Sequence, residues 1–447
     1  MIRDYKTSKK EHLMDLSWDG EPEQDAPYVD PELWDAGDDA EESVPDDRTG
    51  KIAYLREKTR EAEEEAKSPA YVKRIRERNR DKLRGILMLA VLACVLVAAS
   101  LLYFANYRYT TYSVDAEIRL GSASGARLFE FRNGILIVSN DAVTLVRDGN
   151  VVWTAAAGTA DPIFAKEGAY FALSGRDSYE FVIFDETGPL STVRVSRRIR
   201  GLDISNAGVV AVATESSDTS YVSYFDRYGS KIAVEVKTVL DASGYPVNIS
   251  ISPDGQKLLV VYYSISNGIG ESRLVVYDFK NGKADRSYIV ASYEDFYDTD
   301  TYLAECGFID DRHAIVVGDN ELIFLSDFLK GNVVRETMKL KDPIRSAVFI
   351  DEGLVLVQEA GSGTVCRYYT PSGQIEESFD CPSEYDAFIA NRRSVVFRNG
   401  ADIAFYNASG VLRYEGYMTY EPEDFEFAGK HSLFFNTGSL FEKITLK

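Results

Sequence analysis

Between Ile86 and Ala105 the chain reads ILMLAVLACVLVAASLLYFA, a run of 20 residues with no charge. As a helix, at about 1.5 Å per residue, it matches a hydrocarbon core of roughly 30 Å. A core helix of a soluble domain would show a polar stripe, and this run has none. A cleaved signal peptide has a short leading segment, whereas 85 residues precede this run. The reading is therefore an uncleaved signal anchor, a transmembrane helix over residues 85–107. Lys73, Arg74, Arg76, Arg78, Arg80, Lys82 and Arg84 crowd its N-terminal flank. Tyr103, Phe104, Tyr107, Tyr109 and Tyr112 follow it. Basic flanks stay cytoplasmic and aromatic belts mark the interface. The expected topology is single-pass in the plasma membrane, with the N-terminus cytoplasmic and the C-terminal body extracytoplasmic. Ala90, Cys94 and Ala98 repeat at i, i+4 and i+8, a ridge of small side chains through which two copies could self-associate.

Residues 1–50 read as an acidic cytoplasmic arm. EPEQDAPYVDPELWDAGDDAEESVPDD holds too little apolar surface to offset the entropy of ordering, so disorder is expected. Trp18 and Trp34 sit in small apolar islands. They suit anchors for a cytoplasmic protein, and the alternative is a plain solvated tail. Residues 51–84 read as a charged helical juxtamembrane segment, broken near Pro69. Its basic part could also hold anionic headgroups of the membrane lipid.

From residue 113 to 447 the texture is short apolar strands punctuated by Gly, Asn and Asp, with no long helical period. One hairpin recurs: TLVRDGNVVWT, FVIFDETGPLSTVRV, VSYFDRYGSKIAVEV, LVVYDFKNGKADRSYIV, IFLSDFLKGNVVRETMKL, RYYTPSGQIEESF, IAFYNASGVLRYEG and NTGSLFEKITLK. Another apolar pair of runs precedes each one. Units of roughly 35–55 residues with about four strands are the mark of an all-β β-propeller. Eight blades are counted, with seven left open if one weak unit is an insertion. The last unit has about three strands, and Ser113–Leu120 has no blade of its own. Pairing those two would join the ends of the body. A sandwich is too small for this length, and a solenoid would repeat at a shorter period.

The hairpins YFDRYGSKI, YTPSGQIEE and FYNASGVLR resemble blade turns of quinoprotein-like and WD40-like propellers. The layout as a whole resembles an uncharacterised group of single-span membrane proteins from Gram-positive bacteria with a divergent propeller ectodomain. That resemblance implies a fold and an envelope location, and it implies no activity.

The search for chemistry is mostly negative. His12, His313 and His431 are the only histidines, and His313 and His431 read as surface turn residues. No HExxH helix, phosphate loop or GxSxG elbow is present, so no catalytic residue, metal ligand or cofactor is assigned. Cys366 and Cys381 flank one predicted hairpin about three residues out of register, which leaves a disulfide open. The segment SYEDFYDTDTY combines Tyr293, Glu294, Asp295, Phe296, Tyr297, Asp298, Asp300 and Tyr302. Its spacing does not fit an EF-hand. Exposed tyrosines and carboxylates here would suit contacts with a protein or glycan. On that reading, removing residues 293–301 should leave the fold intact. The body carries a net charge of −15 over residues 108–447. This argues against a nucleic-acid partner.

A linker of about half a dozen residues spans roughly 20 Å. It would keep the propeller near the outer leaflet. The leading expectation is a non-enzymatic protein-interaction scaffold in the cell envelope, binding an envelope protein or glycan outside. The alternatives are an envelope enzyme acting on glycan or peptide in the central channel, and a ligand-sensing single-span receptor.

Overall fold

The computed structural model describes residues 48–447, apart from 67, 122, 267, 284–286, 295, 297–300 and 329–332. Trp18 and Trp34 lie outside the described residues. Two compact units are present, one reaching Ala98 and one from Ala99 to Lys447.

In the first unit a helix of mixed charge covers Arg48–Ala66, and a second helix opens at Pro69 and runs on into the second unit, to Asn106. Proline suits a first helical turn, where its missing N–H has no intrahelical partner to lose. This second helix carries the basic segment and the apolar run without a break. Its Arg78–Ser100 portion is long and apolar enough to cross a membrane by length and composition, and none of its apolar window is buried. Ala90, Cys94 and Ala98 are all exposed on it.

The second unit is a β-propeller of eight four-stranded antiparallel sheets. The first strands of blades 1 to 8 are Arg127–Phe131, Pro162–Glu167, Arg198–Ile204, Tyr245–Ile251, Leu303–Phe308, Ile344–Ile350, Ala387–Ala390 and Asp424–Phe427. First strands of neighbouring blades touch, as in blades 2, 3, 4 and 5, and so they line the centre. Tyr112–Ile118 is the outermost strand of blade 8, pairing from Tyr112 opposite Leu446 to Ile118 opposite Phe441. The Lys447 carbonyl also accepts N–H bonds from Thr110 (2.9 Å) and Thr111 (3.1 Å). The ring is thus closed by joining the two ends of the body, as the orphan strand implied.

The core lies between blades. Second and third strands are apolar on both faces, as in Leu258–Val261 and Leu274–Tyr277, because each blade is covered by two neighbours. Ala211, Val222 and Tyr224 of blade 3 meet Leu258, Val260 and Tyr262 of blade 4. Each fully buried aliphatic or aromatic side chain contributes about 1.5–3 kcal/mol.

The recurring turn has a physical explanation. In YFDRYGSKI, Asp226 Oδ1 accepts the N–H groups of Tyr228 (2.9 Å) and Ser230 (2.8 Å). In FYNASGVLR, Asn407 Oδ1 accepts the Val411 N–H at 2.8 Å. The glycine that follows is left-handed, with φ of 82° at Gly229 and 78° at Gly410. It also abuts the preceding blade. A Cβ on Gly410 would stand 2.3 Å from Phe379 Cβ. Gly410→Ala therefore meets a conformational penalty and a clash together. A loss of about 1–3 kcal/mol is expected in denaturant unfolding of the full chain; an unchanged midpoint would contradict this packing.

Candidate functional site: the central channel and the blade 4 outcrop

Adjacent strands in a blade are antiparallel, so turns after first and third strands share one face of the ring. Turns after second strands, and the connections between blades, share the other. The chain enters on the first of these faces, where the Tyr109 ring lies 5.1 Å from His431.

The innermost strand of each blade has no strand on its inner edge, and its outward N–H groups need acceptors. Side chains of the preceding blade supply several. The Ile251 N–H donates to Asp203 Oδ2 at 2.8 Å, and the Phe308 N–H to Ser250 Oγ at 3.1 Å. The Cys306 N–H donates to Asn248 Oδ1 at 3.2 Å, and the Leu128 N–H to Asp424 Oδ2 at 2.8 Å. Blades 3 to 6 share a bulge one residue after a matching position, at Ile199/Gly201, Pro246/Asn248, Leu303/Glu305 and Ile344/Ser346. The extra residue re-aims the side chains that follow, which sets Asn248 and Glu305 at one level.

Lys166, Glu167, Asp203, Glu305 and Asp351 line a channel cavity of about 440 Å³. Glu130 and Lys443 line a neighbouring cleft of about 270 Å³ between blades 1 and 8. Burial pushes Glu167 up to about 7, and the charges of Asp203, Asp351 and Asp311 add to the effect while Lys166 opposes it. Burial pushes Asp203 up to about 6, against the pull of the Ile251 and Ile204 N–H groups and of Ser250. Burial also brings Glu426 to about 7, with Lys166 opposing and Glu130 adding. Glu130 and Glu305 are raised by burial as well. Near neutrality the channel is therefore a partly protonated carboxylate ring, with the Lys166 ammonium bonded to the Glu130 carbonyl at 2.7 Å.

Sequence reasoning passed over this ring. The signal was there: an acidic residue at or next to the end of the first strand, in RLFEF, PIFAKE, RIRGLDI and DFEF.

The segment from 292 to 302 differs from its expected form. Asp295, Tyr297, Asp298 and Asp300 lie outside the described residues. Phe296 does not face solvent: it is fully buried in the core between blades 4 and 5. The Arg335 guanidinium stacks over it at 4.9 Å and over Tyr293 at 5.0 Å. Glu294 approaches Arg273 at 3.4 Å, and among the described aromatic residues of the segment only Tyr302, 6.1 Å from Tyr263, is exposed. Removing 293–301 would therefore extract a core side chain, and the expectation of an intact fold is corrected.

Cys366 and Cys381 are free thiols. They lie on paired strands, with Cys366 opposite Phe379 and Cys381 opposite Thr364, two residues out of register rather than three. That diagonal spacing, about 7–8 Å between α-carbons, exceeds disulfide geometry. Burial raises Cys306, Cys366 and Cys381 above the ordinary thiol range, which disfavours reactive thiolates. His313 is held by Asp310, with Nδ1 2.9 Å from Oδ2. His431 is half-buried against Tyr109 rather than a plain surface residue, and burial lowers its pKa. Among the described residues no group of three or more His, Cys, Asp or Glu is placed to hold a metal ion.

A family model described as "Family of unknown function (DUF5711)" matches residues 105–446. No curated protein matches the chain. Among solved structures, Sqt1 from Chaetomium thermophilum aligns with TM-score 0.50 and 12% identity, over 75% of this chain and 100% of that one. BamB from Moraxella catarrhalis aligns with TM-score 0.45 and 11% identity, over 75% and 100%. At such identities the likeness concerns the fold alone.

Two outcomes are expected. Phe296→Ala should cost about 3–5 kcal/mol in denaturant unfolding, whereas an exposed recognition residue would cost almost nothing. For the channel, Glu167, Asp203 and Glu426 bind protons more tightly folded than unfolded. Their stabilisation is complete below the unfolded values of 4.5 and 3.8 and fades as pH rises through about 6 to 7. The thermal midpoint of the full chain should thus be higher at pH 5 than at pH 8, and Glu167→Gln with Glu426→Gln should flatten the difference. An equally steep fall in that double variant would remove the ring as its cause.

Proposed function

We propose, for this chain, which belongs to the DUF5711 family of unknown function, that it is a single-pass plasma-membrane protein whose extracytoplasmic propeller serves as a non-enzymatic interaction scaffold. One observation carries the reading. The strand that seals the ring, Tyr112–Ile118, follows within a few residues of the apolar helix that ends at Asn106. The chain therefore enters the ring through its closing strand, on the face that bears the turns after first and third strands. The opposite face, bearing the turns after second strands, is left for partners. Exposed Tyr179, Tyr245, Val247, Ile265, Ile269 and Tyr302 belong to that face.

The charge pattern supports the direction of insertion, with seven basic residues between 73 and 84 before the apolar run. The acidic arm on the other side would meet cytoplasmic partners through Trp18 and Trp34. Chemistry in the channel finds no support in the described residues. His313 is engaged by Asp310 and His431 is half-buried against Tyr109, both outside the channel, and burial holds the Cys306, Cys366 and Cys381 thiols protonated.

The test is topological. Single cysteines at position 20 and at Tyr228→Cys, in a chain whose native cysteines are changed to serine, are challenged in intact cells with a membrane-impermeant maleimide. Labelling at 228 and protection at 20 are expected. The reverse pattern, or labelling of neither until cells are lysed, would overturn the orientation. Photo-crosslinking from Tyr245 in cells should then give adducts with an envelope component; absence of any adduct from this face would defeat the scaffold reading.

A further inference from the structure

The two faces of the ring differ in charge. Over the described residues, the connections after second and fourth strands carry a net −8. Those after first and third strands, on the face where the chain enters, carry −1. The acidity of the body is therefore concentrated on the face away from the entry.

The nearly neutral face holds an apolar trough. Val209, Tyr224, Ile232, Val234 and Phe279 line a cavity of about 440 Å³ between blades 3 and 4, with Lys280 exposed in its wall. Val209, Ile232, Val234 and Phe279 pack on the core between these blades and are only half covered. Residues 226–230 and 279–288, the turns after the third strands of these two blades, flank the trough. The second turn is pinned by the Tyr288 N–H, which donates to the Lys283 carbonyl at 3.0 Å. Arg227, Lys280 and Lys283 have no ion pair among the described residues. Arg227 is held instead by the Tyr170 hydroxyl at 2.8 Å and the Tyr228 ring at 5.1 Å. A mostly apolar cavity of this size with cations at its edge suits an amphiphile with an apolar tail and an anionic head.

The covalent reach of the chain says which amphiphile is at hand. Residues 107–111 alone join the apolar helix to the closing strand of blade 8. At about 3.4 Å each they extend roughly 17 Å. Blade 4 stands across the axis from blade 8 in the ring of eight.

We propose that the trough between blades 3 and 4 takes an acyl chain of an anionic lipid from the outer leaflet, with Arg227, Lys280 and Lys283 at its headgroup. This rests on the single-pass reading and deepens it. Tether and trough hold the ring at opposite rims, and the acidic face turns away from the lipid. Tyr228, 68% exposed, then stands at headgroup depth, where water-borne reagents still reach it.

The test uses the full chain in nanodiscs of mixed phosphatidylglycerol and phosphatidylcholine. A trace of either lipid carries a photoactivatable diazirine on its acyl chain, and adducts are mapped by mass spectrometry. Adducts within 224–234 and 279–283 are expected, about fivefold more from the phosphatidylglycerol probe than from the phosphatidylcholine probe. Arg227→Glu, Lys280→Glu and Lys283→Glu together should abolish that preference. They should transfer it to a probe with a trimethylammonium-propane headgroup, a reversal that misfolding cannot produce. Equal yields from the two natural headgroups, or adducts on the acidic face in place of the trough, overturn the proposal. Adducts on the apolar helix with none in the trough dismiss the trough and leave the membrane reading standing; absence of adducts from the helix dismisses the membrane reading itself.

Discussion

The arrangement depends on how the inner edge of each sheet is satisfied. A four-stranded blade has two rims of unpaired backbone groups, and the inner rim faces a narrow, partly dry channel. An unmatched buried N–H costs about 1–3 kcal/mol, so eight unsupported rims would consume a typical domain's stability. Asp203, Asn248, Ser250 and Asp424 answer this by reaching from one inner strand to the backbone of the next. These bonds fix the spacing of successive blades at the axis, while the apolar faces behind them supply most of the cohesion. Where Gly307 stands at the position of Asp203 and Ser250, the Phe349 ring of the next blade fills the space instead.

The same requirement generates the electrostatics. Carboxylates recruited to a crowded axis are desolvated and near one another, so their proton affinity rises. Asp203 shows both sides of this, since its carboxylate binds two backbone donors and is still pushed upward by burial. The channel thereby acquires an unusual proton-binding character without any arrangement resembling a catalytic pair. Lys166 offsets part of the charge from a position next to Glu167 itself.

Much of the fold could be read from the chain because its signals were local and repeated. Asp226, Asn407 and the left-handed glycines after them mark turns by short-range chemistry, and the eight recurring hairpins gave eight blades. The orphan strand before the first blade and the missing strand in the last pointed to their union. Contacts between repeats were less visible. Phe296 looked like an exposed aromatic among acids, because nothing nearby in the chain announces that Arg335 and the blade 5 core will enclose it. The carboxylates at the axis are distant in sequence and meet only once the ring exists. The separation of Cys366 from Cys381 required the register of one hairpin, which a single bulge at Tyr368/Tyr369 changes.

The pairing of Tyr112 with Leu446 has a consequence for biosynthesis. The strand made first in this body waits for the strand made last, more than 300 residues later. Seven blades can form in order as they emerge, each through nearest-neighbour contacts, yet the circle remains an open arc until Phe441–Leu446 is made. Any premature stop leaves that waiting strand with a bare rim. The ring thus carries its own length check: only a chain made through Leu446 can cover the rim of its first strand.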